Sequence, residues 1–268
     1  MSAAQWHLQG KRCLVTGASK GLGLAIADEM ASLGAQILIV ARNQNDLEAA
    51  RQAILDKTPA ASVLLRAADV STAQGRDYLL QEVKQIWGLL DCLVNNVGTN
   101  RRKPIEDTDE VDYELMLRTN QDSCFFMCQK FFSLLRSSSS ASVVNVSSVA
   151  GVRSTGTGVV YAMTKAAMAH MSEALACEWA PYNIRVNCVA PWMTMTPLLK
   201  EAIDKDPSQI DPVLTATPMG RLGHPADTAG AVCFLCMQAA AFITGQIISV
   251  DGGISAQGYR GPCIANRA

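Results

Sequence analysis

Seven short apolar runs, at residues 13–15, 37–40, 63–65, 92–94, 143–146, 186–189 and 247–250, constrain the fold of this chain more than any other feature. Each is nearly all apolar rather than alternating, the pattern of a strand covered on both faces. Stretches of helical length separate them. After the first run, Leu22, Ile26, Met30 and Leu33 recur at helical spacing, with Asp28 and Glu29 on the opposite face. Strand and helix in regular alternation imply right-handed βαβ units and a parallel sheet. The expected fold class is α/β: one doubly wound domain over residues 1–268, with a seven-stranded parallel sheet and helices on both faces. No internal repeat and no linker divides the chain. The four serines at 137–140 read as a loop before the fifth strand. Prolines at 191, 197, 207, 212, 218 and 225 break the pattern late in the chain. That irregular segment, at about residues 192–225, is expected to serve as a lid or substrate loop.

Composition closes off several classes of function. Charged residues make up 18% of the chain and the net charge is −1, which leaves no electrostatic footprint for nucleic acid or an anionic membrane. No apolar run is long enough to span a bilayer. The first ten residues are polar apart from Trp6 and Leu8 and do not resemble a signal peptide. The nine cysteines are odd in number and lie mostly in apolar runs, so free thiols in a reducing, cytoplasmic compartment are expected. Cys233 and Cys236 have redox or metal spacing, but they fall in an apolar helical stretch. The histidines, His7, His170 and His224, stand apart from other ligand types, and no metal is expected.

The first strand runs directly into Thr16-Gly-Ala-Ser-Lys-Gly-Leu-Gly23 and then a helix. Glycines at 17, 21 and 23 let a pyrophosphate approach the backbone, and the helix N-terminus faces its charge. A strand, a glycine turn and a helix make this a Rossmann-type nucleotide site. Dinucleotide sites that prefer NAD carry an acid about twenty residues later, for the ribose 2′-hydroxyl. Here Arg42 stands nineteen residues after Gly23, with no carboxylate at the strand end. A guanidinium suits a 2′-phosphate, and Lys20 adds a second cation, so NADP(H) is the expected cofactor.

Ser148 follows the fifth strand, at the sheet end where open α/β folds bind ligands. Thirteen residues on, Tyr161-Ala-Met-Thr-Lys165 opens a helical stretch reaching about Pro181. Spacing of i, i+4 puts phenol and ammonium on one face. A fixed cation beside a phenol favours phenolate and so makes it a usable acid. Ser148 is then placed to polarise a carbonyl while Tyr161 supplies the proton.

These motifs resemble the short-chain dehydrogenase/reductase family over about residues 6–259, including Asn95-Asn96-Val97-Gly98 and the late Val250-Asp-Gly-Gly253. The resemblance implies an active site of Asn120, Ser148, Tyr161 and Lys165, with Asn120 holding a relay water and Lys165 also binding the nicotinamide ribose. The cofactor contacts it implies are Gly17, Ser19, Lys20, Gly21, Leu22, Gly23, Arg42, Asp69, Val70, Asn96, Gly98, Tyr161, Lys165, Pro191, Thr194 and Thr196, with Asp69 on the adenine. Two positions depart from the family pattern: Val97 replaces an alanine, and Trp192 a glycine. Both, with the surrounding motifs, are similar to the tropinone reductase-like branch, whose members reduce varied ketones.

The expected activity is thus NADPH-dependent reduction of a ketone to a secondary alcohol, on a small hydrophobic substrate. A 3-oxoacyl-thioester reductase is the nearest alternative, and a non-catalytic NADPH-binding regulator is the alternative of another class. The substrate pocket is expected at Ser148, Tyr161, Trp192 and Met193, with Met195, Leu198 and Leu199 extending an apolar wall. Arg101, Arg102 and Lys103 form three consecutive cations in the loop after the fourth strand, with no acid before Glu106. They are expected to disfavour a cationic amine ketone. Two long apolar helical stretches, at 107–135 and 159–179, carry Leu115, Phe125, Phe126, Met163, Ala167 and Met171. In the family the matching helices pack against their copies, so a homodimer or homotetramer is expected.

Overall fold

The computed structural model describes residues 5–258. Seven strands form one parallel sheet, β1 (Arg12–Thr16), β2 (Gln36–Ala41), β3 (Ser62–Ala67), β4 (Cys92–Asn95), β5 (Ala141–Val146), β6 (Ile184–Pro191) and β7 (Ile247–Val250). Their order across the sheet is β3-β2-β1-β4-β5-β6-β7. All seven apolar runs of the sequence are strands. β1 pairs with both β2 and β4, so the winding reverses there and opens a crevice at the C-terminal strand ends.

Alternation along each strand sends neighbours to opposite faces. Cys13 and Val15 face one core and Leu14 the other; Ile37 and Ile39 oppose Leu38 and Val40. The first core is closed by α1 (Gly21–Ser32), α2 (Gln44–Lys57) and α9 (Pro225–Cys236), through Ile26, Met30, Leu47, Ile54, Val232 and Leu235. The second is closed by α3 (Ala73–Ile86), α5 (Ser123–Arg136) and α6 (Val159–Trp179), through Leu79, Val83, Phe131 and Met168. Full burial of each such side chain contributes about 1.5–3 kcal/mol.

The stretch read as one long helix at 107–135 is divided. α4 (Glu110–Met116) passes into a π-helical turn, Leu117–Asp122, before α5. The widened turn carries Asn120, which is fully buried. The proline-rich segment is less irregular than its sequence implies. It forms α7 (Pro197–Lys205) and α8 (Ile210–Ala216), and Pro225 begins α9. Proline is compatible with a first helical turn because the N–H it lacks has no partner there. Pro197 and Pro225 begin helices rather than prevent them. Among the described residues, no helix is long and apolar enough to cross a membrane.

Candidate functional site

The nucleotide turn is built at the end of β1. Gly17 and Gly21 have φ of +65° and +60°, a left-handed backbone that side chains rarely adopt. Gly23 is required for space: a Cβ there would lie 2.2 Å from the Gly17 carbonyl oxygen. Asn96, just past β4, donates from its amide to the Thr16 and Gly17 carbonyls, both at 3.2 Å. Thr16 Oγ1 in turn donates to Val94 O at 3.2 Å and accepts from Asn96 N–H at 3.0 Å. The turn is therefore held from the β4 side, and no side chain caps the N-terminus of α1. Its free N–H groups form an anion site. Ser19 and Leu22 are half-buried beside them. Thr196 reaches this loop from the far end of the chain, since a Cβ on Gly21 would meet its Cγ2 at 3.5 Å.

Lys20 and Arg42 are both exposed, and the side chain of neither bonds to another described residue. Asn43, not Arg42, caps α2, its Oδ1 accepting from Asp46 N–H at 3.0 Å. Lys20 lies within the loop and Arg42 just past β2, so both cationic side chains are left without a protein partner at this end of the sheet. Asp69 and Val70 form the turn after β3, where Asp69 Oδ1 accepts from Ser71 N–H at 2.9 Å. The cap of α3 is Thr72, which accepts from Gly75 N–H at 3.1 Å, so Asp69 is not needed there.

The residues expected to perform chemistry converge across β4, β5 and α6. Ser148 is half-buried just past β5, and its Oγ accepts from Ala150 N–H at 3.2 Å. Tyr161 lies in the first turn of α6 and is half-buried, with its hydroxyl bonded to no described residue. Lys165 is buried; its Nζ donates to Val146 O at 2.9 Å and sits 5.8 Å from the centre of the Tyr161 ring. Gly98 lies against this group, because a Cβ there would come 3.3 Å from Lys165 Nζ and 3.5 Å from Asn120 Oδ1. The Asn120 amide donates to Thr99 O and to Thr164 Oγ1, both at 3.0 Å, and its Oδ1 accepts from Thr99 N–H at 2.7 Å. Both amide protons are spent on protein, so only acceptor capacity remains to hold a relay water.

Two supporting residues escaped the sequence reading. Thr164 receives the Asn120 bond and donates to Tyr161 O at 2.8 Å, linking the π-helical turn to α6. Ser147 Oγ donates to Lys165 O at 2.7 Å. Their proximity to Tyr161 and Ser148 in sequence was the available signal; their partners were not.

On the substrate side the structure shows two arrangements that the sequence did not. Trp192 follows Pro191, the buried end of β6, and its Nε1–H donates to Thr217 Oγ1 at 3.0 Å. It lines a cavity of about 310 Å³ with Thr194, Met219, Val250 and Asp251, and neither Ser148 nor Tyr161 is among the lining residues. Met193 is half-buried, its carbonyl accepting from Gly223 N–H at 2.9 Å; the Leu198 side chain lies outside the described residues. The cations at 101–103 are also largely neutralised. Lys103 Nζ pairs with Asp112 at 2.6 Å and Asp109 at 3.2 Å, and Arg101 pairs with Asp112 at 3.6 Å. The compensating acids lie on the next helix and its cap, beyond the loop itself. Of the three, only Arg102 is exposed and bonded to no described residue.

Cys233 and Cys236 point into the first core and are free thiols. Burial pushes the Cys233 thiol up, while a hydrogen bond with Cys92, followed by burial, does the same for Cys236.

This architecture, with its glycine turn and its Ser148, Tyr161 and Lys165 set, defines a nucleotide-dependent oxidoreductase class, and the chain belongs to the short-chain dehydrogenase/reductase family. The family model described as enoyl-(acyl carrier protein) reductase matches residues 17–255. A tropinone reductase homolog of Arabidopsis thaliana is 40% identical over 258 residues, covering 95% of this chain and 96% of that protein. A putative short-chain alcohol dehydrogenase from Sinorhizobium meliloti superposes with a TM-score of 0.88 at 33% identity, over 94% of this chain and 99% of that one. A 3-oxoacyl (acyl-carrier-protein) reductase from Agrobacterium tumefaciens, solved with NADP bound, gives 0.88 at 28% identity over 94% and 97%.

Proposed function

We propose that this oxidoreductase reduces a ketone to a secondary alcohol at the expense of NADPH. The observation that carries the reading is the half-buried Tyr161 hydroxyl, bonded to no described residue, with the Lys165 ammonium 5.8 Å from its ring. Gly17–Gly23, Asn96 and Thr196 would hold the dinucleotide, with Lys20 and Arg42 on its 2′-phosphate and Asp69 on its adenine. When bound, NADPH supplies the hydride. Ser148 Oγ binds the carbonyl oxygen and Tyr161 gives it a proton. Lys165, fixed by Val146 O, holds positive charge beside the phenol as that proton leaves. Asn120 ties the Thr99 loop to α6 and so keeps both sides of the cleft in register.

Reduction of a 3-oxoacyl thioester is the second reading, supported by the likeness to the NADP-bound bacterial reductase. A non-catalytic regulator would have no chemical use for Ser148, Tyr161 and Lys165 together. Turnover of NADPH against a panel of cyclic and aliphatic ketones, beside an acyl-carrier thioester, separates the readings. Activity on the thioester alone overturns ketone reduction, and no turnover with any of them overturns both. The free thiols fit a reducing compartment, with the cytoplasm as the proposed location.

A further inference from the structure

The inward face of α3 is apolar, with Leu79 and Val83 fully buried, except at Arg76. Arg76 is 6% exposed, yet no described carboxylate lies within ion-pair distance. Burial lowers its pKa, against the opposing pull of Asp122, Asp77 and Asp69. A leucine or methionine would fill the place without the cost of burying charge. Packing alone therefore does not account for the guanidinium.

Its Nη1 donates to Val70 O at 2.8 Å, while Nε has no partner. The guanidinium carbon stands 4.7 Å from the ring centre of Phe126 on α5. The carbonyl that receives this bond belongs to the turn carrying Asp69. That turn is fixed elsewhere too: Thr72 N–H and Oγ1 donate to Asp69 O at 3.1 and 2.9 Å. A Cβ on Gly75 would lie 2.1 Å from the same oxygen. Val70 O is the point at which a charged side chain sets the turn's orientation.

We propose that Arg76 is a positioning residue for the dinucleotide: it holds the Asp69–Val70 turn in place for the adenine, with Phe126 as the platform beneath its guanidinium. The proposal rests on the reading that this turn receives adenine. Rotation of the Val70 peptide would redirect the neighbouring Asp69 carboxylate, so loss of Arg76 weakens one end of the cofactor site only.

The test measures affinity for three probes by calorimetry: NADPH, 2′,5′-ADP for the adenosine half, and reduced nicotinamide mononucleotide for the other half. Arg76→Met is expected to weaken NADPH and 2′,5′-ADP by up to about a hundredfold, the ceiling set by the charge-assisted hydrogen bond that holds the turn. Affinity for the mononucleotide, and kcat at saturating NADPH, should be unchanged. Arg76→Lys should recover part of the loss. Phe126→Leu should weaken the same two probes, less than additively with Arg76→Met. If Arg76→Met does not fold, Arg76→Lys and Phe126→Leu carry the same comparison. Equal losses for all three probes, or no loss for 2′,5′-ADP, overturn the proposal. If the unmutated protein binds NADPH but not 2′,5′-ADP, the adenine assignment fails first and the proposal with it.

Discussion

Tyr161 shows how little of a residue's role resides in the residue. A phenol in the first turn of a helix is ordinary; a free hydroxyl beside a buried, carbonyl-anchored ammonium is the setting on which the proposed proton transfer rests. Tyr161→Phe keeps the ring and removes the proton, so ketone reduction should fall by about 10²–10⁴ while NADPH binding, read by fluorescence titration, survives. Near-normal turnover in that variant would refute the mechanism. Arg42 and Lys20 make a separate claim at the other end of the cofactor. A charge-assisted contact to the 2′-phosphate contributes roughly 1.5–3 kcal/mol, so NADPH should outperform NADH about ten- to a hundredfold in kcat/KM. Arg42→Asp should reverse that order, and equal kcat/KM for the two cofactors in the unmutated enzyme would remove the assignment.

Between residues and whole molecule, α4 and its cap set the charge of the loop before it. Asp112 pairs with both Arg101 and Lys103, so a loop that reads as strongly basic is close to neutral in place. The unmutated protein should therefore discriminate little between tropinone, a cationic amine ketone, and a neutral cyclic ketone of similar size. Asp112→Asn uncovers Arg101 and leaves Lys103 with Asp109 alone, so it should lower kcat/KM for the amine selectively, more at low salt than at high. An unchanged amine-to-neutral ratio at low salt would show that these cations do not face the substrate.

Across the whole molecule both faces of the sheet are covered, and the apolar side chains left exposed include several on the helices of the second core. Phe126 and Met171, on the helices expected to assemble, are engaged within the chain, against Arg76 and the second core. Val111, Tyr113, Phe125, Val159 and Met163 remain exposed along α4, α5 and α6, at 39–76% of their full surface. Exposed apolar side chains on three helices favour self-association, and closed symmetry is its usual form. Light scattering at micromolar concentration should report a dimer or tetramer, and Phe125→Asp should shift it toward monomer with turnover per chain as the second readout. A monomer in the unmutated protein would exclude the assembly.

Strand positions, the sheet class and the glycine turn were legible because each depends on local pattern. A strand covered on both faces must be apolar throughout, and a backbone at φ of +65° calls for glycine wherever it occurs. Tyr161 and Lys165 were legible for the same reason, since four residues of helix bring them together. What the tertiary structure alone decided are the pairings between distant segments. Asp112 against Lys103, Trp192 against Thr217, Thr196 against the glycine loop and Arg76 against Val70 O each depend on how two elements pack. Charge written along a loop does not reveal the counter-charge that folds onto it, and an arginine in an apolar helix face does not reveal the one carbonyl that justifies its burial.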